Sequence, residues 1–202
     1  EPQRVNSPFF KKTFEWIRLS PFSQRNVQDV VLKPMRSLGV KFKEADEIVA
    51  RIHRETGGIP LLVQYYCLSL TSALDTIDKR IIDPDILEDI PKRPGFRNHV
   101  VGPFRQSINT EDRLPIYALL LTRSSEWDTR SFTREDMASA LRDIGVAAHL
   151  VDLDQGCDRL ALAGILTRED GEYRFLMPIL PSILREDNLD YLVSEAKREI
   201  GL

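Results

Sequence analysis

Residues 164-GILTREDGEYRFLM-177 carry the pattern that decides how the second half of this chain folds. The step Asp170-Gly171 suits a two-residue hairpin loop, whose central residues need positive φ, and the runs on either side alternate apolar and polar residues. Residues 166–168 and 173–177 are therefore expected to pair as antiparallel strands. Three helical patterns come before them. Over 113–123, Leu114, Tyr117, Ala118 and Leu121 recur at helical spacing. From 133-TRED-136 a second helix runs through Met137, Leu141 and Ile144 to a stop at Gly145, with Thr133 and Asp136 placed to form a capping box. A third, over 151–163, buries Leu153, Cys157, Leu160 and Ala161. Three helices closed by a two-stranded hairpin describe a winged helix, assigned to 112–185.

Upstream, helices punctuated by glycine and proline dominate. Ser23 can cap a helix over 24–38 that carries Val27, Val30, Val31 and Met35 on one side and stops at Gly39, with Pro34 set to kink or shorten it. Ala45, Ile48, Val49 and Ile52 form one stripe of a second helix that ends at Thr56-Gly57-Gly58. Pro60 suits the first turn of a third, because its missing N–H would be unpaired there anyway. Over 61–74 that helix is apolar on nearly every face, so it is expected at the centre of a small bundle. The stretch 83-DPDILEDIPKRPGFRNHVVGPFRQSIN-109 reads as a short helix near 85–89, a Pro/Gly break, and another helix over 95–109. At the far end, Leu189, Leu192, Val193, Ala196 and Ile200 give 186–202 an amphipathic helix. Its apolar stripe needs a partner, either the winged helix or a following domain.

The expected architecture is mainly α: an extended segment over 1–22 arriving from a core outside the chain, a helical lid bundle over 23–90, a connecting helix over 91–111, a winged helix with a β-hairpin wing over 112–185, and the helix over 186–202. The 202 residues are 42% apolar and 29% charged with a formal net charge of −3, a soluble composition that offers no whole-chain attraction for nucleic acid or an anionic membrane. No apolar run reaches membrane-spanning length and no signal peptide is read, so a cytoplasmic protein is expected. Cys67 and Cys157 read as reduced core thiols. His53, His99 and His149 lie in no metal-ligand spacing. Phosphate-loop, dinucleotide, nucleophile-elbow and zincin motifs do not occur in the 202 residues.

One stretch carries possible chemistry. In 56-TGGIPLLVQYYCLSL-70 two glycines let a ligand approach the mouth of a helix whose first N–H groups are unpaired. The same residues are also an efficient turn between two helices. In its order, the run 19–70 followed by 92-KRPGFRNHV-100 and the winged helix resembles the lid of signal-transduction P-loop ATPases, the STAND branch of the AAA+ class, which includes archaeal-type ATPases and NB-ARC proteins. Gly58-Ile59-Pro60 matches that family's Gly-x-Pro motif. The resemblance covers roughly 8–185 and implies that Gly58 and Pro60 face the base of bound ATP or ADP, Pro60 packing on the adenine. It implies that a P-loop core of the same protein supplies the phosphate contacts and Mg2+, and that the fragment alone binds no nucleotide cofactor and catalyses nothing. It further implies that nucleotide state is relayed to an effector domain or within a homo-oligomer. The NB-ARC winged helix carries a Met-His-Asp triplet; here Met177-Pro178-Ile179 stands in its place, a sensor segment without His or Asp.

Two other readings remain open. Winged helices commonly bind DNA, as in origin-recognition ATPases, but 151-VDLDQGCDRLALAG-164 sets Asp152, Asp154 and Asp158 against Arg159 alone, a poor match to phosphates. More basic character lies in Lys92, Arg93, Arg97 and Arg105, which a solvated face or a contact with the core would explain. The second alternative is a nucleotide-independent adaptor that docks partners on the helix over 186–202.

Overall fold

A computed structural model of the chain describes residues 20–74, 80–123 and 130–202. The expected segment over 1–22 therefore lies almost wholly outside the described residues. The first bundle begins with α1 (Gln24–Ser37), whose N-cap Ser23 accepts the Asn26 N–H at 3.3 Å. Pro34 sits inside α1 without ending it, and Gly39 turns the chain at φ 76°. A short strand β1 (Lys41–Phe42) leads to α2 (Ala45–Thr56), which buries Ile48, Val49 and Ile52 as the spacing predicts. Next come α3 (Pro60–Leu74) and β2 (Ile81–Ile82), which pairs in parallel with β1. This two-residue pairing has no signal in the sequence; four residues are too few for a period to register. A 3-10 turn over Pro84–Asp89 and α4 (Pro94–Ser107) follow, as expected.

The second half is a winged helix. Its helices are α5 (Thr110–Thr122), α6 (Arg134–Asp143) and α7 (Leu153–Leu162), and its wing is β3 (Leu166–Glu169) with β4 (Glu172–Phe175). The capping box forms: the Thr133 side chain accepts the Asp136 N–H at 3.2 Å, and Asp136 accepts the Thr133 N–H at 2.8 Å. Leu166 pairs with Phe175 and Glu169 with Glu172, so the loop is Asp170-Gly171, with φ of 50° and 87°. Both values are positive, as that loop requires. Phe132 adds a single bridge to Tyr173, exchanging backbone hydrogen bonds of 2.8 and 2.9 Å. Then α8 (Ile179–Glu186) and α9 (Leu189–Glu199) close the chain. α8 is absent from the sequence reading, because Pro178 and Pro181 mask a helical period; both fall at its start, where proline costs no hydrogen bond.

Packing decides how the apolar helices are covered. The helix over 61–74 is the centre of the first bundle, as expected, with α1, α2 and α4 against it. It is not buried all round: Leu62, Val63, Tyr66 and Leu70 face the core, but Leu61 is 52% and Leu68 64% exposed. In the winged helix the central element is α5, where every residue from Leu114 to Leu120 is buried between α6, α7 and α9. The apolar stripe of α9 is covered by the winged helix, one of the two partners expected for it. Leu189, Leu192, Val193 and Ala196 pack on α5, the Thr110 hydroxyl donates to Glu199 at 2.6 Å, and Lys197 donates to the Ile144 carbonyl. The surface on which the adaptor reading relied is therefore used internally.

α4 ties the halves together. Its Phe96 meets Tyr65 and Tyr66 of the first bundle edge-on at 5.4 and 5.3 Å, while its Phe104 meets Tyr117 of the winged helix at 5.8 Å. Arg97 bonds Asp187 at 2.9 Å and the Ile183 carbonyl at 3.3 Å and pairs with Glu186; Arg105 bonds Asp187 at 2.8 Å. Carboxylates at the C-terminal end of α8 face the negative pole of that helix, an unfavourable placement that the two guanidiniums offset. Arg97 is thus engaged within the chain, and Arg105 shares its carboxylate while staying 42% exposed.

Candidate functional site

The glycine pair that precedes Pro60 is a joint between the two halves. Gly57 and Gly58 hold φ of 60° and 73°. A Cβ on Gly57 would lie 1.8 Å from the Leu176 carbonyl oxygen at the end of the wing, and one on Gly58 would lie 2.2 Å from the Phe22 carbonyl oxygen. Backbone therefore passes backbone on both sides, which only glycine permits. The contact is tied: Phe22 N–H donates to the Gly58 carbonyl at 2.7 Å, and Gly58 N–H donates to the buried Thr56 hydroxyl at 3.2 Å. His53 lies 3.1 Å from the Phe22 carbonyl, which can only accept, so the ring Nε2 donates. Tyr66 lies alongside, fully buried and donating to Glu55, and burial pushes its phenol well above the ordinary range.

Next to this joint a cleft of about 430 Å3 opens between the start of α3 and the wing. Ile59, Pro60 and Leu61 line it from α3 and the turn before it, Ile165, Leu176 and Met177 from the wing and the residues that flank it, and His99 and Pro103 from α4. Among the described residues that line it there is no Asp, Glu, Lys or Arg. Such walls suit a flat apolar ring; no described cation is at hand for a phosphate. The His99 ring is held by a 2.7 Å bond from Nδ1 to the Gly95 carbonyl and lies 5.3 Å from the Tyr65 ring.

Of the residues singled out in the sequence, Pro60 and Met177 both line this cleft, although they come from different halves of the chain. Gly58 lies behind the wall, its open side occupied by Phe22, and Pro178 caps α8 away from the lining. His99, Pro103, Ile165 and Leu176 are lining residues that the sequence reading does not assign to a site. Only Gly102-Pro103, a breaker pair within a helical stretch, could have drawn attention to this end of the cleft.

The third helix of the winged helix, α7, presents little free positive charge. Arg159 makes a two-pronged pair with Asp112, both bonds 2.6 Å, and Asp112 is 2% exposed. Arg134 pairs with Asp154, and the Arg168 guanidinium lies over the Tyr173 ring at 5.7 Å. A second hollow, of about 330 Å3 between α5 and α9, is lined by Arg105, Arg113 and Glu199, with Arg105 bound to Asp187 and Arg113 3.6 Å from Glu199. Cys157 is buried, and burial pushes its thiol up to about 11, away from nucleophilic chemistry. Burial also raises the Cys67 thiol. Among the described residues no cluster of His, Cys, Asp or Glu could hold a metal ion, and no helix is long and apolar enough to cross a membrane.

No protein-family model matches the chain, and no curated protein matches it. Among solved structures it is similar to three mutant forms of Thermotoga maritima RuvB, at 15%, 12% and 14% identity and TM-scores of 0.34, 0.35 and 0.34. Each likeness covers 78% of this chain and 47% of the RuvB chain, so the chain spans about half the length of the structures it matches.

Proposed function

We propose that this chain is the lid and winged-helix portion of a P-loop ATPase of the AAA+ class, STAND-like in the order of its motifs. Its apolar cleft takes the adenine ring of ATP or ADP. The observation that supports this reading is that Pro60 and Met177 line one cleft whose described lining residues carry no charge. An adenine needs apolar faces, and its phosphates need cations and a Gly-rich loop, which the 202 residues do not contain. The division of labour follows: this portion grips the base, and a P-loop core holds the phosphates and Mg2+. Because both halves contribute walls, base binding favours the arrangement in which Gly57 abuts Leu176. Nucleotide state is thereby coupled to the position of the winged helix, which passes it to an effector domain.

Equilibrium binding to the chain tests this. The resemblance leaves the chain alone without a bound nucleotide; the cleft revises that expectation, so adenosine should bind, with affinity independent of Mg2+, and inorganic tripolyphosphate should not. Tripolyphosphate binding without adenosine binding would overturn the reading. So would tight, salt-dependent binding of duplex DNA at physiological ionic strength, which the pairing of Arg159 and Arg134 with aspartates disfavours.

A further inference from the structure

We infer that the hollow between α5 and α9 binds a small zwitterion, a free α-amino acid, with its carboxylate on Arg113 and its ammonium on Glu195. Helical spacing builds the two walls. Thr110, Arg113 and Tyr117 follow one another at i, i+3 and i+7 along α5, and Tyr191, Glu195 and Glu199 at i, i+4 and i+8 along α9. All six line the hollow of about 330 Å3, a volume that suits a single small molecule rather than a peptide. The charges are sorted by wall: α4 and α5 bring Arg105 and Arg113, and α9 brings Glu195 and Glu199. Asp187, at the rim, is already held by Arg97 and Arg105.

Neither of the two central charges is fully satisfied within the chain. The Arg113 side chain is only 18% exposed, and its Nη2 donates to the Thr110 hydroxyl at 2.6 Å but stands 3.6 Å from Glu199, beyond a hydrogen bond. Its Nε is shut off from solvent and has no hydrogen-bond partner among the described residues. A guanidinium so far out of water is short of acceptors, and a carboxylate gives them in pairs. Glu195 is half-buried; among the described residues it accepts from the Tyr191 hydroxyl at 3.3 Å and pairs with no Lys, Arg or His. A cation and a carboxylate that line one hollow without pairing leave a gap that a bipolar molecule closes. A bare anion there is repelled by Glu195 and Glu199, and a bare cation by Arg105 and Arg113, so each half-ligand is opposed by one wall. Tyr117 lies on the arginine side, 2% exposed. Burial raises its phenol against the opposing pull of Arg113 and Arg105, which keeps it a neutral donor for the same carboxylate.

Titration of the chain with L-alanine, L-leucine, L-glutamate and L-lysine, followed by amide NMR, tests the inference. At least one of the four is expected to bind, and at least about tenfold tighter than the same molecule without its amine or without its carboxylate. The shifted amides are expected at the start of α5 and along α9. Glu195→Gln removes a charge that no cation of the fold pairs with, so it is expected to fold as the parent does, to weaken the amino acid about tenfold and to leave the amine-free analogue unchanged or slightly tighter. Binding of the amine-free analogue as tightly as the amino acid overturns the inference, since the hollow is then an anion site. So does an unchanged amino-acid affinity in Glu195→Gln, a set of shifted amides elsewhere in the chain, or binding by none of the four at about ten millimolar. Each of these outcomes leaves the base-binding reading of the cleft untouched, because the two hollows share no residue.

Discussion

Gly57 and Gly145 both hold positive φ, at 60° and 77°, yet only Gly57 meets another backbone where a side chain would begin. Around Gly145 a Cβ would meet nothing within 4 Å. Gly145→Ala is therefore expected to cost only the conformational term, about 1 kcal/mol, whereas Gly57→Ala adds the clash with the Leu176 carbonyl and should cost about 2–5 kcal/mol. Urea unfolding of the two variants separates these cases, and equal costs would mean that the joint is looser than the geometry states. Asp112 is a second decisive residue. Its carboxylate is buried, grips Arg159 with two bonds and lies where a Cβ on Gly156 would come within 2.9 Å. Asp112→Ala leaves a guanidinium that is itself 38% exposed, so the loss is smaller than for a fully buried pair, about 2–3 kcal/mol by denaturation. Asp112 gives no signal of this role in the sequence, because an acidic residue in the first turn of a helix is ordinary there.

Among the elements, α6 and α1 start with side-chain caps of unequal quality. Thr133 and Asp136 exchange backbone and side-chain bonds reciprocally, while Ser23 accepts one exposed bond at 3.3 Å. Thr133→Ala should lower stability by about 1 kcal/mol and Ser23→Ala by about half as much, and thermal unfolding of the pair gives the comparison. Such caps are legible because they depend on residues three apart. The same holds for the wing, where Asp170-Gly171 forces the loop and alternation sets the register. Burial of whole helices was less legible. α3 and α5 are both apolar around most of their circumference, yet α3 leaves Leu61 and Leu68 in the open and α5 leaves almost nothing. Periodicity reports which faces of a helix can be buried; the number of neighbours decides which are.

At the scale of the molecule, the first bundle and the winged helix are joined by three devices: the Gly57–Leu176 approach, the aromatic contacts at both ends of α4, and the charge cluster around Asp187. The last is partly exposed, so its contribution is screened and modest. Asp187→Ala releases one bond from Arg97 and the one from Arg105, and is expected to cost about 1–2 kcal/mol. Hydrogen exchange should quicken in α8 and in the second half of α4, with the wing hairpin unchanged. Faster exchange throughout the chain would instead mean that the cluster supports the whole fold.

The order of helices, the capping box, the hairpin and the glycine pair were determined by the sequence, because each depends on neighbours within a few residues and on φ values that few side chains accept. Pro60 could be singled out as a helix start on the same local terms, and Met177 only through the family resemblance. Their place in the lining of one cleft beside His99 and Pro103, the pairing of β1 with β2, the internal use of the α9 stripe and the engagement of Arg97, Arg105 and Arg159 were decided by tertiary structure alone. Each of these sets residues distant in the chain side by side, and a partner chosen by packing leaves no period or spacing in the sequence to read.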